Sequence, residues 1–246
     1  MPRVRLAFQP PRRFNGPMKR PTTRTAVLAG ATGLVGGFLL RELLGDPSYS
    51  KITILVRSPL SLRHPKLRQL KLDFDRLEGL TRSLQARDWY CALGTTIRRA
   101  GSPEGFRKVD YGYITAFGRA ASRTTGTSLY LVSSQGASNR SPFFYLRVKG
   151  ETEEALKKLP LRALHLFRPS LLLGPREVIR RGEAFAGFLF GILGPFLVGP
   201  LRRFRPVAAE AVAQSMVGAA RQDLPGIHLR ESETLLPSSP ERISRG

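Results

Sequence analysis

Short apolar runs alternate with longer amphipathic stretches along this chain, and that alternation predicts its secondary structure. Runs rich in apolar and β-branched residues are typical of strands that are buried on both faces. Six such strands are predicted at residues 26–29, 51–57, 69–73, 89–94, 128–133 and 161–167, with a last strand near 227–230. Helices are predicted from the first glycine turn to about residue 44, and at 103–121, 143–158 and 207–220. Strands alternating with helices at this spacing need right-handed crossovers, so we predict a doubly wound α/β fold around a parallel sheet.

The first predicted strand leads directly into a glycine-rich turn. Gly30, Gly33 and Gly36 follow at three-residue spacing, and an apolar pattern at helical spacing comes after them. Glycines at a strand-to-helix turn let the backbone approach a pyrophosphate closely. The free N–H groups and the dipole at the start of the helix favour a negatively charged ligand. The turn therefore predicts a phosphate-binding site.

The end of the second strand indicates which phosphate ligand this is. An unmodified ribose favours an acidic residue about 20 residues after the glycine turn. No carboxylate occurs between Asp46 and Asp73, and Arg57 ends the strand instead. A guanidinium can hold a 2′-phosphate through two hydrogen bonds, which favours NADPH over NADH. An ordinary solvated arginine at a strand end is the alternative interpretation of Arg57.

A candidate catalytic group follows the fifth strand. Tyr145 and Lys149 are four residues apart on the predicted helix 143–158, so they share one helix face. Ser133 and Ser134 lie at the carboxyl end of the strand, where open α/β sheets bind their ligands. A nearby ammonium and a cationic nicotinamide ring both favour the phenolate of a tyrosine, whose ordinary pKa is about 10. A serine hydroxyl can then bind the substrate oxygen while the tyrosine transfers the proton.

Six segments together carry a resemblance to a known family. They are GATGLVG at 30–36, CALGTT at 91–96, GSPEGFRKVD at 101–110, VSSQGAS at 132–138, YLRVKGETE at 145–153 and LFRPSLLLGPRE at 166–177. The set resembles the short-chain dehydrogenase/reductase superfamily, and more closely its atypical branch of NAD(P)H-binding oxidoreductases. The resemblance covers residues from about 25 to about 216 and implies a Rossmann fold, an NADPH cofactor and redox chemistry on a carbonyl or alcohol.

The resemblance also implies a role for each matching residue in cofactor binding. It places the diphosphate on residues 32–35, the 2′-phosphate on Arg57, and the adenosine and central ribose side of the cofactor against Leu93 and Gly94. It places Leu172 near the nicotinamide and gives Arg180 the role of closing the site. The implied cofactor residues are Gly30, Thr32, Gly33, Leu34, Val35, Gly36, Arg57, Leu93, Gly94, Tyr145, Lys149, Leu172 and Arg180.

For catalysis, the resemblance implies that Tyr145 is the general acid/base. Lys149 would bind the nicotinamide ribose and favour the phenolate of Tyr145. We choose Ser134 over Ser133 as the hydroxyl that faces the substrate, although spacing does not settle the choice. The chain departs from the pattern at Asp110, where many members of the superfamily have an asparagine that helps to organise the proton relay.

Composition adds information about partners and compartment. Lys and Arg outnumber Asp and Glu by 40 to 18, for a formal charge of +22. That charge allows weak, salt-sensitive binding to nucleic acid or an anionic surface, but the arginines are scattered, so a compositional bias plus a basic tail is the simpler interpretation. Cys91 is the single cysteine, which excludes an intrachain disulfide and suits a reducing cytoplasm. The three histidines show no metal-ligand spacing, and no metal site is expected.

The predicted domain organisation has one Rossmann domain between two tails. Residues 1–23 are basic, rich in proline and free of acidic residues, so we expect a disordered tail. An organelle transit peptide is the alternative there, although serine is absent. The Rossmann domain covers residues 24–232 with a substrate-covering lid at about 182–205, and a frayed tail is expected at 233–246. Within the lid, Ala184–Pro200 carries no charge, but it is shorter than the roughly 20 residues of a membrane span and is interrupted by glycine and proline.

These patterns leave two functional hypotheses from different classes. The first is an NADPH-dependent oxidoreductase that transfers a hydride to or from a carbonyl or alcohol substrate, with Tyr145 as acid/base. The second is a regulatory or scaffold protein that binds NADPH and turns over little or not at all. Membrane-surface contact or RNA binding through the positive charge is a lesser alternative.

Overall fold

A computed structural model describes residues 23–80, 84–173 and 206–235 of the chain. Its central feature is a seven-stranded sheet in which every neighbouring pair of strands is parallel. The strands of the described residues are β1 (Arg24–Ala29), β2 (Tyr49–Val56), β3 (Leu67–Lys71), β4 (Asp88–Cys91), β5 (Ser128–Val132), β6 (Ala163–Arg168), β7 (Leu172–Leu173), β8 (Val207–Ala208) and β9 (Gly226–Glu231). The large sheet has the order β3-β2-β1-β4-β5-β6-β9, and β7 pairs with β8 separately. The order reverses between β1 and β4, which makes the crevice there the expected ligand site.

Helices cover both faces of the sheet. They are α1 (Leu34–Gly45), a 3₁₀ turn (Phe74–Arg76), α2 (Leu77–Leu80), α3 (Ile97–Ala100), α4 (Pro103–Arg107), a π-helix (Lys108–Tyr113), α5 (Ile114–Ser122), α6 (Phe144–Lys157), α7 (Ala209–Gln222) and α8 (Ser232–Leu235). Successive residues of a strand point to opposite faces, so each strand contributes to two separate cores. Leu28 of β1 packs with Leu39 and Met216 under α1 and α7, while Trp89 of β4 packs with Phe117 on the opposite face.

The predicted doubly wound α/β fold is confirmed, with strand bounds that differ slightly from the prediction. The third strand begins and ends two residues earlier than predicted. Just before it, the N–H of Ile52 on β2 donates to the carbonyl of Lys66, and the N–H of Leu67 donates to the carbonyl of His64. The fourth strand ends at Cys91 rather than at residue 94, and Leu93 and Gly94 form part of the loop after it. The β7–β8 pair was not predicted, because two-residue strands give no recognisable pattern in the sequence.

The predicted continuous helix 103–121 is interrupted by a π-helical turn. Pro103 begins α4, Ser102 caps it by accepting a hydrogen bond from the N–H of Gly105 at 3.0 Å, and the chain continues through the π-helix into α5. Asp110 lies in the π-helix and is buried. Hydrogen bonds in a π-helix join residues five apart instead of four, so the side chains that follow are rotated relative to those of a continuous α-helix. Such turns are frequent at functional sites.

Several predicted segments lie outside the described residues. They include the basic tail apart from its last residue, the lid at about 182–205 with Arg180 before it, and the end of the C-terminal tail; of that tail, residues 233–235 belong to α8. Within the part of the chain that the structure describes, no helix is both long enough and apolar enough to cross a membrane.

A row of aromatic side chains crosses the sheet on the α1 and α7 face. Tyr90, Tyr130, His165 and His228 are register partners on β4, β5, β6 and β9. Consecutive rings are stacked, with centroids 4.8, 4.8 and 4.5 Å apart. His165 is fully buried in this row, and neither of its ring nitrogens has a hydrogen-bond partner among the residues that the structure describes.

Candidate active site

A cavity of about 570 Å³ opens at the carboxyl ends of β1, β2 and β4. This is the crevice at which the strand order reverses. Gly30 follows β1, Arg57 follows β2 and Ala92 follows β4, and all three line the cavity. The sheet therefore brings together residues that are up to 62 positions apart in the sequence.

The glycine turn lines this cavity, and neighbouring backbone leaves no room for a side chain at two of its glycines. Gly30 has a φ of +89°, and a β-carbon there would overlap the carbonyl of Ala92. A β-carbon at Gly36 would overlap the carbonyl oxygen of Gly30 itself. The N–H of Gly33 donates to that same oxygen at 2.9 Å and closes the turn. Larger residues at these two positions would push strand, turn and helix apart.

Helix α1 presents an uncapped amino terminus to the turn. Gly33 is its N-cap residue, no side chain caps the helix, and the first turn carries no acidic residue. Val35 is buried in the core and Leu34 packs against it, so these two predicted cofactor residues would have to bind through backbone amides. An amino terminus with free amides and no competing carboxylate suits a phosphate.

Basic and polar side chains line the part of the cavity that lies toward β2. Thr32, Arg57 and Ser58 line the cavity, and both Arg57 and Ser58 are exposed. Arg99, on α3, lines it as well and was missed in the sequence analysis. The basic pair Arg98 and Arg99, four and five residues after Gly94, was the available signal. Two guanidinium groups in one cavity suit a ligand with several negative charges.

Aromatic side chains form the remaining wall of the cavity, and polar contacts at the protein surface hold this wall in position. Phe74 and Tyr113 line it with their ring centroids 5.6 Å apart. The hydroxyl of Tyr113 donates to Asp75 at 2.7 Å, and the ammonium of Lys108 lies 2.8 Å from the same carboxylate. These contacts attach the π-helix to the 3₁₀ turn after β3. Apolar walls beside a few polar groups are typical of cofactor sites.

Helix α6 carries the predicted catalytic pair, which lies beside this cavity rather than in its lining. Tyr145 is 36% exposed, and its ring packs against Phe106, with centroids 5.3 Å apart. Lys149, one turn later, is buried. A β-carbon on Gly94 would lie 3.8 Å from the Lys149 Nζ atom, and Gly94 itself lines the cavity. Gly94 is therefore the junction between the cavity and the Lys149 ammonium.

The Lys149 ammonium has a buried carboxylate as its partner. Nζ lies 2.7 Å from the Oδ1 atom of Asp110. Burial by itself disfavours the charged ammonium, but Asp110, with contributions from Tyr145 and Cys91, outweighs it, so the pKa of Lys149 is raised. Lys149 is therefore a cation at neutral pH. Burial raises the pKa of the Cys91 thiol to about 12, so this cysteine stays protonated near the site.

The two candidate serines have different surroundings. The buried Ser133 hydroxyl donates to the Glu153 Oε1 atom at 2.5 Å. Glu153 is itself held by Arg168, whose Nε atom donates to it at 3.0 Å. Ser134 is half-buried, and its hydroxyl makes one long contact of 3.4 Å with the carbonyl of Gln135. Ser133 is thus engaged in a buried network, whereas the Ser134 hydroxyl is the freer of the two to bind a ligand.

Helix α6 lies directly on the loop that follows these serines. A β-carbon on Gly150 would overlap the carbonyl carbon of Ser138 and the backbone nitrogen of Asn139. The loop is also bonded to the helix by the N–H of Ser138, which donates to the carbonyl of Leu146 at 3.1 Å. The segment after the serines and the helix that carries Tyr145 are therefore in direct backbone contact.

Two other predicted site residues have different outcomes. Leu172 lies in β7, half-buried against the α1 and α7 core. Arg180 lies outside the described residues. Among the residues that the structure describes, no group of three or more His, Cys, Asp or Glu side chains could hold a metal ion.

Solved structures show which known fold this chain has. MoeE5 in complex with UDP-glucose and NAD matches with a TM-score of 0.62 and 15% identity, over 84% of this chain and 75% of that one. Human epimerase family protein SDR39U1 with NADPH matches with a TM-score of 0.58 and 16% identity, over 85% of this chain and 77% of that one. The fold is the Rossmann-type fold of NAD(P)-binding short-chain dehydrogenases/reductases.

Sequence relatives identify the family within that class. Protein HTATIP2 of Rattus norvegicus, Tat-interacting protein 30, is 36% identical over 174 residues, which are 69% of this chain and 72% of that protein. The mitochondrial protein fmp52 of Aspergillus clavatus is 34% identical over 207 residues, which are 81% of this chain and 88% of that protein. No family model matches the chain. The chain belongs to the atypical short-chain dehydrogenase/reductase family that includes HTATIP2 and FMP52.

The names of the fungal relatives correct one prediction. The single cysteine favoured a cytoplasmic location. That prediction is wrong, because two of the relatives, fmp52 of Aspergillus clavatus and FMP52 of Candida albicans, are named mitochondrial. A low cysteine count reports a reducing environment, and it does not distinguish the cytosol from a reducing organelle.

Proposed function

We propose that this protein is an NADPH-dependent oxidoreductase that acts on a carbonyl or alcohol group. The observation that carries the proposal is the junction at Gly94, which joins a cavity built for a dinucleotide to the buried Lys149 ammonium. The residues fit such a cofactor: backbone contacts exclude β-carbons at Gly30 and Gly36, the α1 amino terminus is free, and Arg57 is exposed in the cavity.

In this proposal each side chain has one task. The bound cofactor supplies or accepts a hydride at its nicotinamide ring. Ser134 hydrogen-bonds the substrate oxygen and Tyr145 gives that oxygen its proton, or takes it in the reverse direction. Lys149 holds the nicotinamide ribose and keeps a positive charge beside the phenol. The preference for NADPH is assigned to Arg57, through a bidentate contact with the 2′-phosphate.

The competing proposal is an NADPH-binding regulatory or scaffold protein with little or no turnover. It shares the cavity and the cofactor with the enzyme proposal but gives Tyr145 no chemical task. The two proposals therefore separate at the tyrosine hydroxyl rather than at cofactor binding.

Turnover with and without that hydroxyl tests the enzyme proposal. We expect purified protein to oxidise NADPH with at least one member of a panel of aldehydes and ketones. Tyr145→Phe should lower kcat by about 100-fold or more, because general acid catalysis contributes about that factor, while NADPH still binds. Tyr111→Phe is the matched control: it removes a hydroxyl from a half-buried tyrosine whose ring lies under Arg107, outside the cavity lining.

The outcomes distinguish the two proposals. Tight NADPH binding, followed by fluorescence of the reduced nicotinamide, without any turnover that Tyr145→Phe abolishes would reject the enzyme proposal and favour the regulatory protein. Equal loss of turnover in Tyr145→Phe and Tyr111→Phe would show that the effect is not specific to the site.

A further inference from the structure

Asp110 is a buried charge inside the molecule and close to the candidate site. Its side chain has 0% exposure. Oδ2 accepts a hydrogen bond from the backbone N–H of Thr95 at 2.9 Å, and Oδ1 lies 2.7 Å from the Lys149 Nζ atom. Aspartate is almost never fully buried without a partner, because an unpaired charge in the interior is strongly unfavourable. The side chain is therefore held by contacts with the β4–α3 loop and with α6.

The backbone of Asp110 is fixed by α6 as well. Its carbonyl accepts a hydrogen bond from the Thr152 hydroxyl at 2.8 Å, and the same hydroxyl also contacts the carbonyl of Val148 at 2.8 Å. Lys149 lies between Val148 and Thr152 on that helix. The π-helix and α6 are thus joined at two points, through a backbone carbonyl and through a carboxylate.

We propose that Asp110 is a positioning residue whose carboxylate holds the Lys149 ammonium charged and in place at the junction between the cavity and Tyr145. The inference rests on the proposed function, in which Lys149 serves the cofactor and the tyrosine. Asp110 acts through Lys149 and has no contact of its own with the reacting atoms.

The groups around Lys149 show why the carboxylate is needed. Those that influence its protonation are Asp110 from the π-helix, Tyr145 from its own helix and Cys91 from β4. The Cys91 thiol stays protonated, and Glu153, one turn further along α6, is occupied by Arg168 and Ser133. Among the described residues, Asp110 is therefore the one carboxylate paired with this ammonium. Burial would otherwise drive the lysine toward its neutral form.

Asp110→Asn separates charge from position, because an amide oxygen can still accept a hydrogen bond from Nζ. In full-length protein labelled with ¹³C at lysine Cε, we expect the pKa of Lys149 to fall by at least about one unit, a tenfold change in its protonation equilibrium. The Lys149 resonance is assigned by its absence in Lys149→Arg. The loss of kcat at alkaline pH should begin at least about one unit lower in the variant, with a smaller change in KM.

Asp88→Asn is the matched control for a buried, ion-paired aspartate. Asp88 is also 0% exposed, and it pairs with Arg24 at 2.7 Å at the amino ends of β4 and β1, whereas the cavity opens at the carboxyl ends of these strands. It should leave both the Lys149 titration and the pH profile unchanged. An unchanged Lys149 titration in Asp110→Asn would overturn the inference, even if that variant were less stable, because stability loss alone is what a structural role predicts.

Two further outcomes keep this inference separate from the proposed function. If no substrate is turned over, the Lys149 titration still decides whether Asp110 keeps the ammonium charged, and the failure falls on the proposed function alone. If Asp110→Asn does not fold, the double variant Asp110→Asn/Lys149→Met removes both charges. Recovery of folded protein in the double variant would support the pair, and lack of recovery would contradict it.

Discussion

His165 should make the folded protein lose stability as the solution becomes mildly acidic. The imidazole is fully buried between the rings of Tyr130 and His228. Burial, followed by the electrostatic effect of the neighbouring His228 and Arg230, lowers its pKa from 6.5 to about 4. The folded chain therefore keeps the ring neutral at a pH where the unfolded chain binds a proton.

The sign and size of the effect follow from proton linkage. Between the two pKa values the unfolded state holds more protons than the folded state, so acid favours unfolding. The contribution is fully present above the unfolded value of 6.5 and is lost progressively as the pH falls toward about 4. For this single group, the free energy of unfolding should fall by about 2 kcal/mol between pH 7 and pH 5, since one pKa unit is worth about 1.4 kcal/mol.

Urea unfolding at pH 7 and pH 5 measures this contribution. The comparison is between the wild type and His165→Leu, which has a similar volume and does not titrate. We expect the variant to be less stable at pH 7, because ring stacking is lost, and to lose about 2 kcal/mol less than the wild type on going to pH 5. His64→Asn, a replacement at a half-buried histidine whose ring accepts a hydrogen bond from the N–H of Lys66, is the control. Identical pH dependence in the wild type and His165→Leu would refute the reasoning.

Two further predictions concern the site. Arg57→Ala should weaken NADPH binding by tenfold or more and change NADH binding little, since a charged hydrogen bond is worth about 1.5–3 kcal/mol. Arg68→Ala on β3 is the charge-matched control. Equal losses of affinity for both dinucleotides would contradict the assignment of Arg57 to the 2′-phosphate. Ser134→Ala should lower kcat with unchanged urea stability, whereas Ser133→Ala should cost about 2 kcal/mol of stability by leaving Glu153 without one donor. The opposite pattern for the two serines would exchange their roles.

The fold was largely predictable because local pattern and global arrangement agree. Apolar runs such as 128–133 are buried strands, and the helix that carries Tyr145 and Lys149 was placed to within one residue at either end. That pair became a candidate through its position after the fifth strand and through the family resemblance, because a tyrosine and a lysine four residues apart are not specific by themselves. Short strands such as β7 remained invisible, because two residues do not form a period.

Contacts between distant segments were not predictable. Asp110 and Lys149 are 39 positions apart, and the carboxylate that meets the ammonium lies in a π-helical turn that no pattern in the sequence indicated. From the sequence, Asp110 could be recognised only as a departure at an asparagine position. Arg99 was missed for a similar reason: the basic pair Arg98 and Arg99 is visible in the sequence, but α3 is four residues long and its pattern does not show that it borders the same cavity as Arg57.

The overlap that a β-carbon at Gly150 would cause has a consequence for how this protein could be altered. Gly150 does not line the cavity, yet it sets how closely α6 approaches Ser138 and Asn139. The loop after Ser134 and the helix bearing Tyr145 must consequently shift together or not at all. Tolerance to substitution should then be low at a position with no chemistry of its own, and an attempt to change the substrate range would have to begin elsewhere than at this contact.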